Sequence, residues 1–338
     1  SMAGAKAATF GVFYERSSEN GKPASAGWYN TAALEAAALK EDIPFYSMNG
    51  DAFSSEFKKK AVEALRKTLG TVDCVIYSLA APRRTDKDGV IYKSVLKPIG
   101  RNFTSKSVNT DKSEVFETTI EPATDDEIFQ TVKVMGGEDW EEWMRLLVAE
   151  KLLAPKAITV AYSYIGPEVT WPIYKSGTIG RAKAHLAETA EKLNNFLSEQ
   201  IQGRALISVN KAVVTQASSA IPVVPLYNSI LFKVMKEAGL HEDCIQQMYR
   251  LFAGLFGNKS VLKRDGVTCV RLDDLELKPE VQTEVQRIWE RINTDNLRTL
   301  SDFEGYKKNF LQLFGFECQG VDYNADVNPE RPIRNLLS

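Results

Sequence analysis

Histidine is scarce in this chain: 338 residues contain only two, His185 and His241. A histidine-rich metal centre or a histidine-based nucleophilic triad is therefore poorly supplied. The four cysteines, Cys74, Cys244, Cys269 and Cys318, lie far apart and form no CxxC pair. That spacing argues against a zinc site or a disulfide framework and for free thiols in a reducing compartment. No apolar run approaches the roughly 20 residues of a membrane span, so stable membrane insertion is not expected. The first residues, Ser1-Met2-Ala3-Gly4-Ala5, lack the cationic and apolar pattern of a secretory signal, and a cytoplasmic setting is expected. Basic excess is missing too. A formal net charge of -2 leaves nothing to neutralise phosphates, and nucleic acid is not expected as a partner.

What is present is an ordinary globular composition, 44% hydrophobic and 25% charged, in a chain long enough to bury a substantial core without staples. Short apolar runs alternate with helical patterns. Strands are expected at Thr9 to Tyr14, Pro44 to Met48 and Cys74 to Ala81. Helices are expected at Ala32 to Lys40 and Ser54 to Leu69, the second with Phe57, Val62, Leu65 and Leu69 at helical spacing and Gly70 as its stop. Such alternation implies crossover connections, a parallel sheet and ligands at the carboxyl ends of the strands. Residues 83–128 are polar and insertion-like. A β-hairpin is expected there, with strands at Gly89 to Tyr92 and Val115 to Ile120. Helix resumes from Asp125 to Leu152, interrupted at Gly136-Gly137. A strand (Ala157 to Tyr164), a helix (Ser176 to Gln200) and another strand (Ala205 to Val214) follow. Residues 226–338 read as mainly helical, with Leu226 to Leu240, Glu242 to Leu255 and Pro279 to Ile292 as candidates. One elaborated domain over 1–338 is expected.

The stretch from Tyr162 to Lys183 carries the most chemistry. Tyr174 stands just before a Gly-rich helix start, and Lys183 lies nine positions on, inside the helix. A phenol can donate a proton or a strong hydrogen bond to a carbonyl oxygen, and a lysine can hold a cofactor hydroxyl. Ordinary short-chain reductases use Tyr-x3-Lys, which puts both side chains on one helix face. Here the two can converge only through the loop containing Gly177 and Gly180. Taken alone, Tyr174 reads more readily as a packed aromatic and Lys183 as a solvated lysine; the residues around them change that weighting.

The strand ends supply a cofactor. Glu15 closes the first strand, where a carboxylate can take both ribose hydroxyls and disfavour a 2′-phosphate. NADH is therefore expected over NADPH, although Arg16 follows directly. Asp51-Ala52 closes the second strand. There Asp51 can accept the adenine amine or make an Asx turn before the Ser54 helix. Leu79-Ala80 offers small side chains at the third strand end, and Val213-Val214-Thr215 leads into a hydroxyl-rich turn that can bind a carboxamide or pyrophosphate. Met135-Gly136-Gly137-Glu138 reads as a structural break and cap.

Several segments together resemble one family, the single-chain trans-2-enoyl-CoA or enoyl-[acyl-carrier-protein] reductases. They include Gly11 to Arg16, Ala26 to Asn30, Asn49 to Phe53, Tyr77 to Thr85, Leu96 to Gly100, Val134 to Trp140, Tyr162 to Lys183, Val214 to Pro225 and Gly315 to Asp322, nearly the whole chain. The resemblance implies an α/β, Rossmann-type doubly wound parallel sheet with helical and β-hairpin elaborations forming the substrate site. It implies NADH-dependent reduction of the C2–C3 double bond of enoyl-CoA or enoyl-acyl-carrier-protein substrates; separately, a monomer is expected. Carried over, Tyr174 is the catalytic tyrosine, and Lys183 is its cofactor-contacting partner, lowering the phenol pKa by its charge. Tyr164 lines the substrate site. Tyr14, Glu15, Asp51, Ala52, Leu79, Ala80, Val213, Val214 and Thr215 contact the dinucleotide. Family members carry a further strand and a Gly-rich turn before the Ala-Ala-Thr-x-Gly-Val strand. The sequence as given starts after that turn, and its omission from the sequence is the expectation. Two other readings stand beside this one: a ketoreductase or epimerase of the short-chain type, and a non-catalytic dinucleotide-binding protein.

Overall fold

The computed structural model describes residues 5–79, 81–257 and 262–338. In chain order the elements are β1 (Thr9–Phe13), α1 (Ala26–Lys40), β2 (Phe45–Asn49), α2 (Ser55–Thr68) and β3 (Val72–Tyr77). Then come β4 (Arg83–Thr85), β5 (Ile91–Lys93), β6 (Phe103–Asn109), β7 (Glu114–Ile120), α3 (Asp125–Met135), α4 (Glu138–Ala149) and β8 (Leu153–Ser163). A 3-10 turn leads into α5 (Trp171–Tyr174), α6 (Thr178–Ile201), β9 (Arg204–Val209), α7 (Gln216–Ser219), α8 (Val224–Glu237) and α9 (Cys244–Phe256). The remainder is β10 (Lys263–Asp265), β11 (Cys269–Arg271), α10 (Pro279–Arg291), α11 (Leu297–Leu300), α12 (Phe303–Gln312) and β12 (Leu336–Leu337).

Parallel pairing joins β3, β8, β9 and β11 in the order β11-β9-β8-β3, with β10 antiparallel at the edge. Side chains of β8 alternate between two apolar layers, as a period of two requires. Ala157 and Ala161 pack with Trp140, Leu186, Ala190 and Leu193 of α4 and α6. Ile158 and Val160 pack with Leu251 and Leu255 of α9. Both faces are thus covered by helices, and the strand reads as a nearly continuous apolar run. This is the Rossmann-type doubly wound architecture. A separate parallel ladder joins β1, β2 and β12. Its third strand is tied down by Glu35 of α1, whose two carboxylate oxygens accept from the backbone N–H groups of Arg334 (2.7 Å) and Asn335 (2.6 Å).

The third apolar layer surrounds α8, whose Leu226, Tyr227, Ile230, Leu231 and Met235 are fully buried. Val281, Val285 and Ile288 of α10 and Phe303 and Tyr306 of α12 close over it. The mainly helical reading of 226–338 holds, but it misses β10, β11 and β12, which are two or three residues long.

The insertion-like segment differs from the expected hairpin. Gly89 to Tyr92 and Val115 to Ile120 do not pair with each other. Two hairpins form instead, β4 with β5 and β6 with β7. The missed strand β6 is rich in Ser, Thr and Lys and half-exposed, so it has no apolar alternation to read. Cross-strand pairs hold it: Lys106 stands opposite Glu117, and the Thr104 and Thr119 hydroxyls are 2.7 Å apart.

Two predicted strands end early, which matters for the site. β3 stops at Tyr77, leaving Ser78 and Leu79 in the loop beyond it. β9 stops at Val209, whose carbonyl takes the N–H groups of Leu272 and Asp273, and Asn210 turns back to donate to Ser163 O (2.9 Å). Val213 and Val214 therefore lie in the connection to α7, not in a strand.

Candidate active site

Tyr174 is the last residue of α5, a helix of only four residues. Its ring meets Tyr164 edge-on, with centroids 4.8 Å apart and planes at 84°. Around it stand Ile173, Ile221 and Val224, with Leu96, Phe103 and Ile120. Burial in this apolar setting, reinforced by the Glu276 carboxylate, pushes the Tyr174 phenol well above its ordinary pKa. The expected lowering by Lys183 is not found, because the lysine faces elsewhere.

Lys183 lies in the second turn of α6, and its Nζ donates to Tyr162 O (3.1 Å). Burial lowers its pKa to about 8. It lines a cavity of about 150 Å³ with Tyr77, Ser78, Leu79, Met135, Tyr162 and Leu186. The cavity sits at the carboxyl ends of β3 and β8, where open α/β sheets bind ligands. Among the described residues Tyr162 O takes one of the three ammonium donors, which leaves two for hydroxyls of a bound molecule. Gly180 lets the backbone from Tyr174 to Lys175 pass against the first turn of α6; a Cβ there would overlap Lys175 O. The predicted convergence through the loop is therefore a close packing of α5 on α6. No hydrogen bond joins Tyr174 to Lys183 among the described residues.

Tyr14, Glu15, Asp51, Ala52 and Leu79 follow the ends of β1, β2 and β3 as expected, whereas Val213, Val214 and Thr215 lie beyond the end of β9 in the connection to α7. Glu15 follows β1, and its backbone N–H and C=O are both bound by the Asn49 side chain (2.8 Å each). Its carboxylate folds over Gly27 in the first turn of α1, a place a Cβ would occupy. Tyr14 is 78% exposed beside it, and Arg16 approaches Pro23 O (3.4 Å). Asp51 makes the Asx turn, accepting from Phe53 N (3.0 Å), while Ser54 caps α2. Ala52 is buried, and its carbonyl accepts from Trp143 Nε1 (3.1 Å). Leu79 shares the cavity with Lys183; Ala80 lies outside the described residues. Val213 O accepts from Ser218 Oγ (3.1 Å), Val214 packs on the α8 core, and Thr215 caps α7 reciprocally with Ser218. Gly136-Gly137 separates α3 from α4, and Gly137 N donates to His185 Nδ1 (3.0 Å).

Sequence reasoning missed the polar groups beneath these residues. Asp139 is 1% exposed and Lys58 4% exposed; they pair at 2.5 Å, with Glu142 also 2.7 Å from Lys58. Tyr77, a cavity residue, donates to the other oxygen of Asp139 (3.1 Å). Arg84 of the first hairpin joins through Glu138 (2.9 Å) and Glu142 (3.1 Å). On the opposite side, Tyr164 and Tyr227 both donate to Glu276, a fully buried carboxylate whose pKa burial raises.

Fold and cavity define a Rossmann-type sheet with a pocket at the carboxyl ends of its strands. The family is narrower. Residues 22–256 match the model described as trans-2-enoyl-CoA reductase catalytic region, and residues 264–327 match one described as enoyl reductase FAD binding domain. The chain is 56% identical to an enoyl-[acyl-carrier-protein] reductase [NADH] of Opitutus terrae, covering 98% of this chain and 84% of that protein. It is 53% identical to a trans-2-enoyl-CoA reductase [NADH] of Ruminiclostridium cellulolyticum, with the same coverage of each. Among solved structures, trans-2-enoyl-CoA reductase of Clostridium acetobutulicum in complex with NADH is similar, with a TM-score of 0.94 and 43% identity over 99% of this chain and 84% of that one. This chain belongs to the trans-2-enoyl-CoA reductase family.

A flavin does not fit residues 264–327. The apolar faces of α10 and α12 are spent on α8. The groove of about 550 Å³ beside the end of α10 would set three carboxylates, Glu117, Glu290 and Asp295, against a diphosphate, with Arg291 as the opposing cation. Its Lys106 ammonium is already donated to the carbonyls of Trp289, Glu290 and Ile292. The cavity at Lys183 does fit a nicotinamide ribose, by its free ammonium donors and its place at the strand ends.

Proposed function

We propose that the protein reduces the C2–C3 double bond of trans-2-enoyl thioesters, carried on CoA or acyl-carrier protein, with NADH, as the last step of fatty-acid elongation. The observation that carries this reading is the apolar setting of Tyr174 against Tyr164, one short loop from a lysine that lines a strand-end cavity. The close relatives named for this reaction support it.

When bound, NADH supplies the hydride that adds to C3. Tyr14, Glu15, Asp51 and Ala52 would hold the adenosine half, with Leu79 and Ala80. Val213, Val214, Thr215 and Lys183 would hold the nicotinamide half. Tyr174 stays a protonated phenol at neutral pH, because burial raises its pKa. It donates to the thioester oxygen as negative charge gathers there, the stabilisation expected of an oxyanion partner. Lys183 keeps a positive charge at neutral pH, since its pKa of about 8 lies above it. Tyr164 packs beside the acyl thioester. Uptake of a proton at C2 completes the saturated product. In this reading the chain is one elaborated domain acting as a cytoplasmic monomer.

The test mixes the protein with NADH and crotonyl-CoA and follows loss of reduced cofactor. Consumption with formation of butyryl-CoA supports the reading. Consumption with a ketone alone points to a ketoreductase, and NADH binding without turnover of either points to a non-catalytic protein.

A further inference from the structure

Glu276 stands in the connection between β11 and α10 and is fully buried. Its two oxygens face different parts of the molecule. Oε1 accepts from Tyr164 Oη (3.0 Å) and Tyr227 Oη (2.6 Å). Oε2 accepts from Ala212 N (2.7 Å). The Gln282 amide closes the cluster, donating to Glu276 O (2.7 Å) and to Tyr227 Oη (3.2 Å). Tyr164 is the ring that stands against Tyr174. Ala212 is the residue immediately before Val213, Val214 and Thr215. One planar group therefore ties the wall beside the catalytic tyrosine to the segment assigned to the nicotinamide end.

We propose that Glu276 is a positioning residue that sets the distance between the enoyl thioester and the nicotinamide. This rests on the functional reading above. Glu276 itself touches neither partner; it acts through Tyr164 and through the Ala212 N–H. A buried carboxylate is costly unless its lone pairs are taken, and here three donors take them. An apolar residue would fill the space but would hold neither arm. Hydride transfer needs a near-attack geometry, and a displacement of about 1 Å can cost on the order of 10²-fold in rate.

Two substitutions separate tether from charge. Glu276→Gln keeps the length, so its oxygen can accept from Ala212 N while its amide donates to the phenol oxygens. Glu276→Asp keeps the charge but is one methylene too short to hold both arms. With NADH and crotonyl-CoA, the Asp variant is expected to lose on the order of 10²-fold in kcat, with the Kd for NADH nearly unchanged. The Gln variant is expected to stay within about tenfold of the parent. Hydrogen–deuterium exchange gives a readout that needs no turnover: the Ala212 amide should exchange faster in the Asp variant and stay protected in the Gln variant. A third variant, Tyr164→Phe, cuts only the substrate-side arm. It should lower kcat while Ala212 stays protected, and adding Glu276→Gln to it should cost little more. The proposal is overturned if Asp retains full kcat while Gln loses it, since the carboxylate then acts by charge. It is also overturned if Ala212 protection is the same in all variants, or if Tyr164→Phe turns over like the parent. If the parent fails to reduce crotonyl-CoA but Ala212 responds as described, the functional reading falls and the tether stands.

Discussion

Tyr164 presents its ring edge to Tyr174 at 4.8 Å, and it is the hydroxyl of Tyr164, not that of Tyr174, that is bound to Glu276. The phenol assigned to chemistry is thus held by packing, and no hydrogen bond ties its hydroxyl among the described residues. Tyr174→Phe keeps the packing and removes only the donor. Turnover of crotonyl-CoA should fall by about 10²–10³-fold, the cost of one lost oxyanion donor, while KM for the thioester changes little. Steady-state kinetics of the folded variant decide this; unchanged turnover would remove Tyr174 from the mechanism.

Lys183 predicts an alkaline limb. Its pKa is lowered to about 8 by burial, so its charge is present below that pH and fades above it. NADH affinity should therefore weaken as pH rises through 8. Lys183→Arg, which stays charged throughout, should abolish that limb even if overall affinity drops. The sign for stability runs the other way. The folded state sheds the proton near pH 8 and the unfolded chain near 10.5, so this group's penalty on folding diminishes with rising pH over that interval. A fluorescence titration of NADH across pH 6–10 checks the binding limb.

Gly180 gives a prediction from space alone. An added methyl meets the Lys175 carbonyl, a backbone atom that cannot swing aside. Gly180→Ala should push α5 away from α6 and shift Tyr174 relative to Lys183. A fall in kcat on the order of 10²-fold is expected, with NADH binding less affected. Equal kcat in parent and variant would show that the α5–α6 packing does not set the site.

Asp139 anchors the other wall. Replacing it with Ala leaves Lys58 in a low-dielectric interior with Glu142 as its remaining carboxylate and the Phe53 carbonyl beside it, and also frees the Tyr77 hydroxyl inside the cavity wall. Breaking a buried pair from one side costs about 3–5 kcal/mol. Urea denaturation should show a loss of that order, and the double variant Asp139→Leu with Lys58→Met should recover part of it.

Much of the fold was legible because its elements announce themselves locally. Leu186, Ala190, Leu193 and Leu197 mark the buried face of α6, Gly136-Gly137 breaks α3 from α4, and the run around Val160 is apolar because both its faces are covered. Strand β6 was not legible, since its partner and not its composition makes it a strand. Of the candidate site, Lys183 and Leu79 come together in one cavity and Tyr164 meets Tyr174. Glu276 escaped notice because its identity as a buried group depends on Tyr164, Ala212 and Tyr227, none of them near it in sequence. A carboxylate set between Leu275 and Leu277 was the one available hint.

The ladder of β1, β2 and β12 carries a consequence for how the molecule is made. Its first two strands, β1 and β2, are made early, yet Leu336 and Leu337 pair with Ser47 and Met48, and Glu35 waits for an amide 299 residues later. A ribosome extends the chain from its amino end, so β2 is made well before β12 and keeps an unpaired edge until β12 emerges. Contacts of such long sequence separation close slowly. The layer that carries Glu15 and Asp51 is therefore completed only when β12 emerges, and the nascent chain has to keep β2 from pairing with other edges until then.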